Sequence, residues 1–197
     1  MVLAAGRSRR FGHANKLLAP LHGRPLLWQV LDAVATAALR PAVIVLGHEQ
    51  RRMRLSLQHW RAQAPQHQRH WRIVVNRRYR DGMGASLRRG LSALPGHVDA
   101  SVVCLADMPQ LDAALLRRLR ATYRRGDDAV VPVANGRRGN PVLLGRSLFA
   151  SLRAQLHGDG GARRLIAQSA AVRELPADHA ALLDIDTRRQ WQQLRRR

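Results

Sequence analysis

The stretch MVLAAGRSRRFGHANKLLAP, residues 1–20, decides how the rest of the chain is read. Met1 to Ala5 are apolar and end at Gly6, which marks a short buried strand turning into a loop. A glycine there lets the backbone turn sharply and approach a ligand closely. The amides of such a loop, with Arg7, Arg9, Arg10 and Lys16, suit a polyphosphate. Neither common phosphate fingerprint is present in it, G-x-x-x-x-G-K-[ST] or G-x-G-x-x-G. On composition alone an ordinary surface loop reads equally well. Lys16 tips the balance: of 34 Lys and Arg residues it is the one lysine. A compact ammonium on a flexible stem differs from a wide planar guanidinium, and a phosphate-bridging cation in a tight loop fits the former.

Outward from this loop the pattern alternates between strand and helix. Residues 25–39 carry Leu27, Val30, Leu31 and Val34 at helical spacing, and AVIVLG (42–47) is a buried strand ended by glycine. A polar helix over 49–64 follows, then the strand WRIVVN (71–76). GMGASLRRGLSAL (82–94) is a glycine loop entering a helix, and SVVCLADMP (101–109) is a strand ending in an acidic turn. Beyond a helix at 112–124, DAVVPV (128–133) and NPVLLG (140–145) are strands around a Gly-rich connection. Short helices at 147–156 and 160–169, a weak strand at 171–175 and a last helix after LLDIDT (182–187) complete the chain. This alternation predicts a single Rossmann-like α/β domain with a mostly parallel sheet in three layers, α/β/α. Ligands bind such sheets outside the carboxyl ends of the strands, so Gly6, Gly47, Gly82 and Asp107 are expected along one edge.

The totals limit the function classes. At 197 residues and 46% hydrophobic the chain suits one domain with a sizeable core. No apolar run approaches the ~20 residues that cross a bilayer, so a cytoplasmic protein without membrane association is expected. Cys104, the one cysteine, lies in an apolar run and reads as a buried small hydrophobe. The formal charge of +21 invites a nucleic-acid reading. The arginines, however, are spread along the chain in pairs such as Arg51-Arg52 and Arg117-Arg118, without interleaved aromatics. They read as compositional bias, and no nucleic-acid partner is expected. The charge still steers an anionic substrate. The nine histidines show no paired metal spacing, so no zinc site is expected; His13 is near enough to the loop to approach phosphate.

The segment from Leu3 to Lys16, L-A-A-G-x-S-x-R-F-G-x-x-x-K, resembles the signature of nucleotidyltransferases related to molybdenum cofactor cytidylyltransferase. Phe11 stands where Met is commoner. GMGASLRRGL resembles the nucleoside-side loop of that family, and LADMP its metal-binding strand end. The segment GNPVLLGRSLFASLRAQLHGDGGARRLI resembles the acceptor side, and LLDIDT the closing motif. Five matches in order cover essentially the whole chain. They imply one nucleotidyltransferase domain over residues 1–197, with a nucleotide-binding half over about 1–110 and an acceptor-side half over about 111–197.

The resemblance also implies roles. Amides around Ala4, Ala5 and Gly6 would hold base, ribose and phosphate. Arg10 and Lys16 would neutralise the triphosphate and the departing pyrophosphate. Gly82 and Ser86 would flank cytosine and ribose, with Gly47 near the base pocket. Asp107 would bind Mg²⁺, joined by Asp186 or its rival Asp184. Asn140 and Arg163, near Asp159, would hold the pterin or its terminal phosphate. The implied reaction is Mg²⁺-dependent transfer of CMP from CTP to molybdenum-bearing molybdopterin, releasing pyrophosphate. A molybdoenzyme or its insertion chaperone would be the partner.

Plainer readings stand beside these. Asp107 also suits, less well, a turn or helix cap before Met108-Pro109. The cap reading is stronger for Asp186, before the last helix, because Asp with a following Gln resembles a capping pattern. Asn140 and Arg163 equally suit a turn residue and a surface arginine. Related chemistry with GTP or another phosphorylated acceptor is the nearer alternative; a non-catalytic nucleic-acid module is the distant one. Ala5, where purine-specific relatives favour Gly, and the GMGASL loop favour a pyrimidine. Only Met1 and Val2 precede Leu3, which implies either a short first strand or a start inside a longer gene.

Overall fold

The structure, a computed structural model, describes residues 1–12, 14–63, 71–156, 158 and 160–195. His13, Asp159 and the histidines at 67 and 70 lie outside these. Among the described residues, strand β1 (Val2–Ala4) runs at the centre of an eight-stranded sheet. On one side lie β4 (Ala42–Leu46) and then β5 (Trp71–Val75), both parallel to β1 or its neighbour. On the other lies β6 (Ala100–Leu105), also parallel to β1. The sheet continues through β9 (Val142–Gly145), β7 (Ala129–Ala134) and β10 (Val172–Pro176), with β8 (Arg137–Arg138) appended to β7.

Strand β9 runs antiparallel to both neighbours, so the sheet is mostly and not wholly parallel. The two strands around the Gly-rich connection fold as adjacent antiparallel partners because their link is short. A two-stranded ribbon, β2 (Pro20–Leu21) and β3 (Arg24–Pro25), also forms. It turns at His22 (φ 51°) and Gly23 (φ 77°), the positive-φ pair of a tight hairpin. Strands of two residues carry no periodicity, which is why the sequence pattern does not show them.

Alternation along the central strands builds both sides of the core. Val2, Ala4, Ile44 and Leu46 face α1 (Leu26–Thr36), α2 (Gln50–Gln63) and α4 (Ala113–Thr122). Leu3, Val43 and Val45 face α3 (Met83–Leu91), α5 (Ser147–Gln155) and α6 (Gly161–Gln168). Burial on both faces is why AVIVL is apolar without interruption. Cys104 lies in this core, 1% exposed, and burial pushes its thiol up to about 11. No described helix is long and apolar enough to cross a membrane.

The topology fixes the site. The chain runs outward from β1 to β4 and β5, then returns to place β6 on the other flank of β1. The crevice at such a reversal lies beyond the carboxyl ends of β1 and β6. Ala5-Gly6 and Ala106-Asp107 come out of those two ends.

Candidate active site

A cleft of about 500 Å³ occupies that crevice. Its walls include Ala5, Gly6, Arg10, Lys16, Gly82, Ser86, Asp107, Asp184 and Asp186. Arg7, Ser8 and Arg9 of the basic loop also line it. Ala4 does not: it is held inside β1, opposite Leu46, and is 2% exposed. Gly47 lies behind the wall. A Cβ there would stand 2.6 Å from Tyr79 Cβ and 2.8 Å from Ala5 Cβ, so glycine is required by close approach.

The basic loop folds back on itself. Ser8 adopts φ 53° and its Oγ accepts the Lys16 amide at 3.2 Å. Asn15 caps the short 3₁₀ turn Lys16–Leu18 by accepting from the Leu17 amide at 3.1 Å. Lys16 therefore points across the cleft from a fixed base. Its Nζ donates to Asp107 Oδ2 at 2.5 Å, to the Ile185 carbonyl at 2.6 Å and to Asp186 Oδ1 at 3.3 Å. Arg10 reaches the other oxygen of Asp186 at 2.7 Å.

The caps resolve the plainer readings of both aspartates. Helix α4 is capped by Asp112, which accepts the Leu115 amide at 2.7 Å, so Asp107 caps nothing. The last helix, α7 (Arg188–Arg195), is capped reciprocally by Thr187 and Gln190. Gln190 Oε1 also accepts the Asp186 amide at 2.9 Å. The Asp186 carboxylate is thereby left to face Arg10 and Lys16.

Asp107, Asp184 and Asp186 offer carboxylate oxygens all within 4.8 Å of one another. Asp184, outside the ion pairs of Lys16 and Arg10, has its carboxyl pushed above the usual range by desolvation, then by the charges of Asp107 and Asp186. Asp107 Oδ1 is buried without a hydrogen-bond partner. An orphaned buried oxygen beside two more carboxylates is the donor set of a hard divalent cation. The structure brings Asp184 and Asp186 together, so the sequence's choice between them becomes a pair.

Asn140 and Arg163 do not line the cleft. Asn140 sits beside Gly139, which packs against Leu182, two residues before Asp184. Arg163 is exposed on α6. Tyr79, Arg80 and Met83 line the cleft although the sequence reading passed over them. Tyr79 packs near the His48 ring at 5.9 Å between centroids, and Arg80 lies over its face at 5.9 Å. The signal was available: all three flank Gly82, already placed at a strand-end loop.

Comparison with known proteins shows what the chain and its fold are similar to. Over 98% of the chain, and 94% of the relative, it is 28% identical to nicotine blue oxidoreductase of Paenarthrobacter nicotinovorans. It is 35% identical to the bifunctional protein GlmU of Mycolicibacterium paratuberculosis over 75% of the chain, which spans only 30% of that protein. The crystal structure of Rv0371c from Mycobacterium tuberculosis superposes with a TM-score of 0.82 at 28% identity, covering 100% of this chain and 96% of that one. The same protein has been solved in complex with manganese (TM-score 0.80, 28% identity, 99% and 96% covered). Residues 1–174 match the MobA-like NTP transferase domain. The chain is therefore a nucleotidyltransferase and belongs to the MobA-like NTP transferase family.

Proposed function

We propose that the protein transfers CMP from CTP to the terminal phosphate of molybdenum-bearing molybdopterin and releases pyrophosphate. The observation that carries this reading is the meeting of Arg10, Lys16 and three carboxylates in one cleft at the switch point. Asp107, Asp184 and Asp186 would hold Mg²⁺, which would supply charge neutralisation for the triphosphate. The amides around Ala5 and Gly6 would hold the nucleotide, with Gly82 and Ser86 at the ribose side. Asn76 supports Ser86 by donating to its Oγ at 3.0 Å.

An acceptor phosphate oxygen attacks the α-phosphorus, a new P–O bond forms, and the bond to the bridging oxygen of pyrophosphate breaks. Such a transfer needs positioning and charge stabilisation more than a side-chain nucleophile. Arg10 and Lys16 would stabilise the leaving pyrophosphate. Support for a pyrimidine comes from Ala5 and Tyr79, which both line the cleft and pack closely on Gly47 behind it, leaving no room there for a side chain. We assign the acceptor side to the half from about residue 111 onward, which supplies Asp184 and Asp186 to the cleft; Asn140 and Arg163 lie outside its lining. The reaction would run in the cytoplasm, and the product would pass to a molybdoenzyme or its insertion chaperone.

The test is pyrophosphate release with Mg²⁺ and molybdenum-loaded molybdopterin, comparing CTP, GTP, ATP and UTP. CTP-selective, pterin-dependent release is expected, lost by 10² or more in Asp107→Asn with an unchanged circular dichroism spectrum. A GTP preference would retain the chemistry and overturn the base. The full-length likeness to nicotine blue oxidoreductase supplies a second reading, redox chemistry in the same cleft. Reduction of nicotine blue by an added hydride donor, with no pyrophosphate released, would favour it. The carboxylate trio favours transfer, since hydride transfer calls for no divalent ion.

A further inference from the structure

Lys16 is assigned above to the triphosphate, yet in the structure it is fully engaged elsewhere. An ammonium has three N–H donors. All three are matched by acceptors: Asp107 Oδ2, the Ile185 carbonyl and Asp186 Oδ1. The side chain is 11% exposed, so water does not compete strongly for those donors. While it stays there, no donor is left for a phosphate.

The acceptors Lys16 occupies are also those an ion would use. Asp186 has one oxygen on Lys16 and the other on Arg10, and Asp107 has one oxygen on Lys16. Only Asp107 Oδ1 and Asp184 have no such partner among these pairs. Three carboxylates against Lys16 and Arg10 leave one net negative charge in this cluster. Adding a divalent ion with Lys16 in place would leave a net positive cluster in a partly buried cleft, with like charges only a few ångströms apart. Removing Lys16 from the seat restores near-neutrality and frees its donors together.

We propose that the Lys16 ammonium and the divalent ion are alternative occupants of the Asp107–Asp184–Asp186 seat, so that ion entry releases Lys16 to the triphosphate. This rests on the ion-binding reading of the trio given above. The backbone of Lys16 is fixed by Ser8 and by the 3₁₀ turn, so only the four-carbon stem moves. A point-like ammonium on a flexible stem fits both positions, whereas a guanidinium fork presents its donors in one rigid plane. That accounts for the single lysine in a chain that otherwise uses arginine. The consequence is order: the enzyme is armed for phosphate only after it has taken up its ion.

The single lysine also supplies the test. With ¹⁵N-labelled lysine the whole protein yields one side-chain NH₃⁺ resonance, that of Lys16. Adding Mg²⁺ alone is expected to move or broaden it, and pyrophosphate with Mg²⁺ to restore it at a third position. In parallel, Mn²⁺ binding is followed by electron paramagnetic resonance, with Lys16→Met expected to bind Mn²⁺ at least tenfold more tightly. An unmoved NH₃⁺ signal at saturating, Asp107-dependent Mg²⁺ binding overturns the exchange and leaves the ion site standing. Absence of any binding that Asp107→Asn removes overturns both. Weaker binding in Lys16→Met, with its fold verified by melting temperature, also overturns the exchange.

Discussion

The Arg188 side chain donates through Nε to the carbonyl oxygen of Phe11 at 3.1 Å, joining the last helix to the first loop across 177 residues of chain. The Trp191 ring meets Phe11 edge-on at 6.1 Å between centroids. Phe11 is 3% exposed and follows Arg10 directly, so the pose of the basic loop is set from the far end of the chain.

Trp191→Ala is expected to lower stability by about 2 kcal/mol, less than the ~3–5 kcal/mol of a fully buried Trp because Trp191 is only part-buried. Loss of the ring frees the Phe11 side and lets Arg10 wander. The nucleotide KM should then rise more than kcat falls. Urea denaturation together with steady-state kinetics checks this; an unchanged KM at the lower stability sinks the link to Arg10.

Gln190 is a positioning residue for Asp186. Its Oε1 accepts the amides of both Asp186 and Thr187 at 2.9 Å. Gln190→Ala is expected to cost about 1 kcal/mol, the ordinary size of a lost cap. It should also weaken Mn²⁺ binding severalfold, because the Asp186 backbone is no longer held. Gln190→Glu keeps the acceptor and should rescue both. A stability loss with unaltered Mn²⁺ affinity would reduce Gln190 to a helix cap.

The turn before β7 supplies a pH dependence away from the cleft. Asp127 is held below the usual carboxylate range by its hydrogen bond to Arg173 Nε at 2.6 Å and by the Arg124 amide, against an opposing effect of burial. A depressed pKa in the folded state means that the contribution is present above the unfolded value of 3.8 and is lost as the pH falls through the folded one. Asp127→Asn is therefore expected to lower the melting temperature at pH 7. The gap from the parent protein should close in acid. A gap that stays constant from pH 7 down to pH 2 would assign the loss to packing.

Much of this was legible because it is written locally. AVIVL is buried on both faces and so reads as a parallel strand; Leu27, Val30, Leu31 and Val34 are all buried on one helix. Gly6 and Asp107 stand at ends of adjacent strands, and the switch point brings them to one cleft. What the sequence left open depends on geometry it does not encode. Asp184 and Asp186 differ by one extended residue, and only the fold shows both carboxylates near Asp107. Tyr79 enters because a short 3₁₀ turn, Tyr79–Asp81, aims the chain back over Gly47. Asn140 and Arg163 enter only through the family resemblance, and neither lines this cleft.

The wall at Gly47, the proposed base end of the cleft, gives the sharpest test of nucleotide choice. A Cβ at position 47 would meet the Ala5 methyl at 2.8 Å and Tyr79 Cβ at 2.6 Å, so these two side chains pinch one point of the wall. Ala5→Gly removes that methyl without disturbing Lys16 or the carboxylates. A pocket widened by one carbon admits a larger ring at modest gain, about 10-fold or somewhat more in relative kcat/KM. The ratio of CTP to GTP turnover should fall by that amount, with CTP turnover itself little altered. A ratio unmoved by Ala5→Gly but shifted by Tyr79→Ala would put discrimination on the aromatic ring alone. A ratio moved by neither would place it outside this wall, in the backbone amides of the loop.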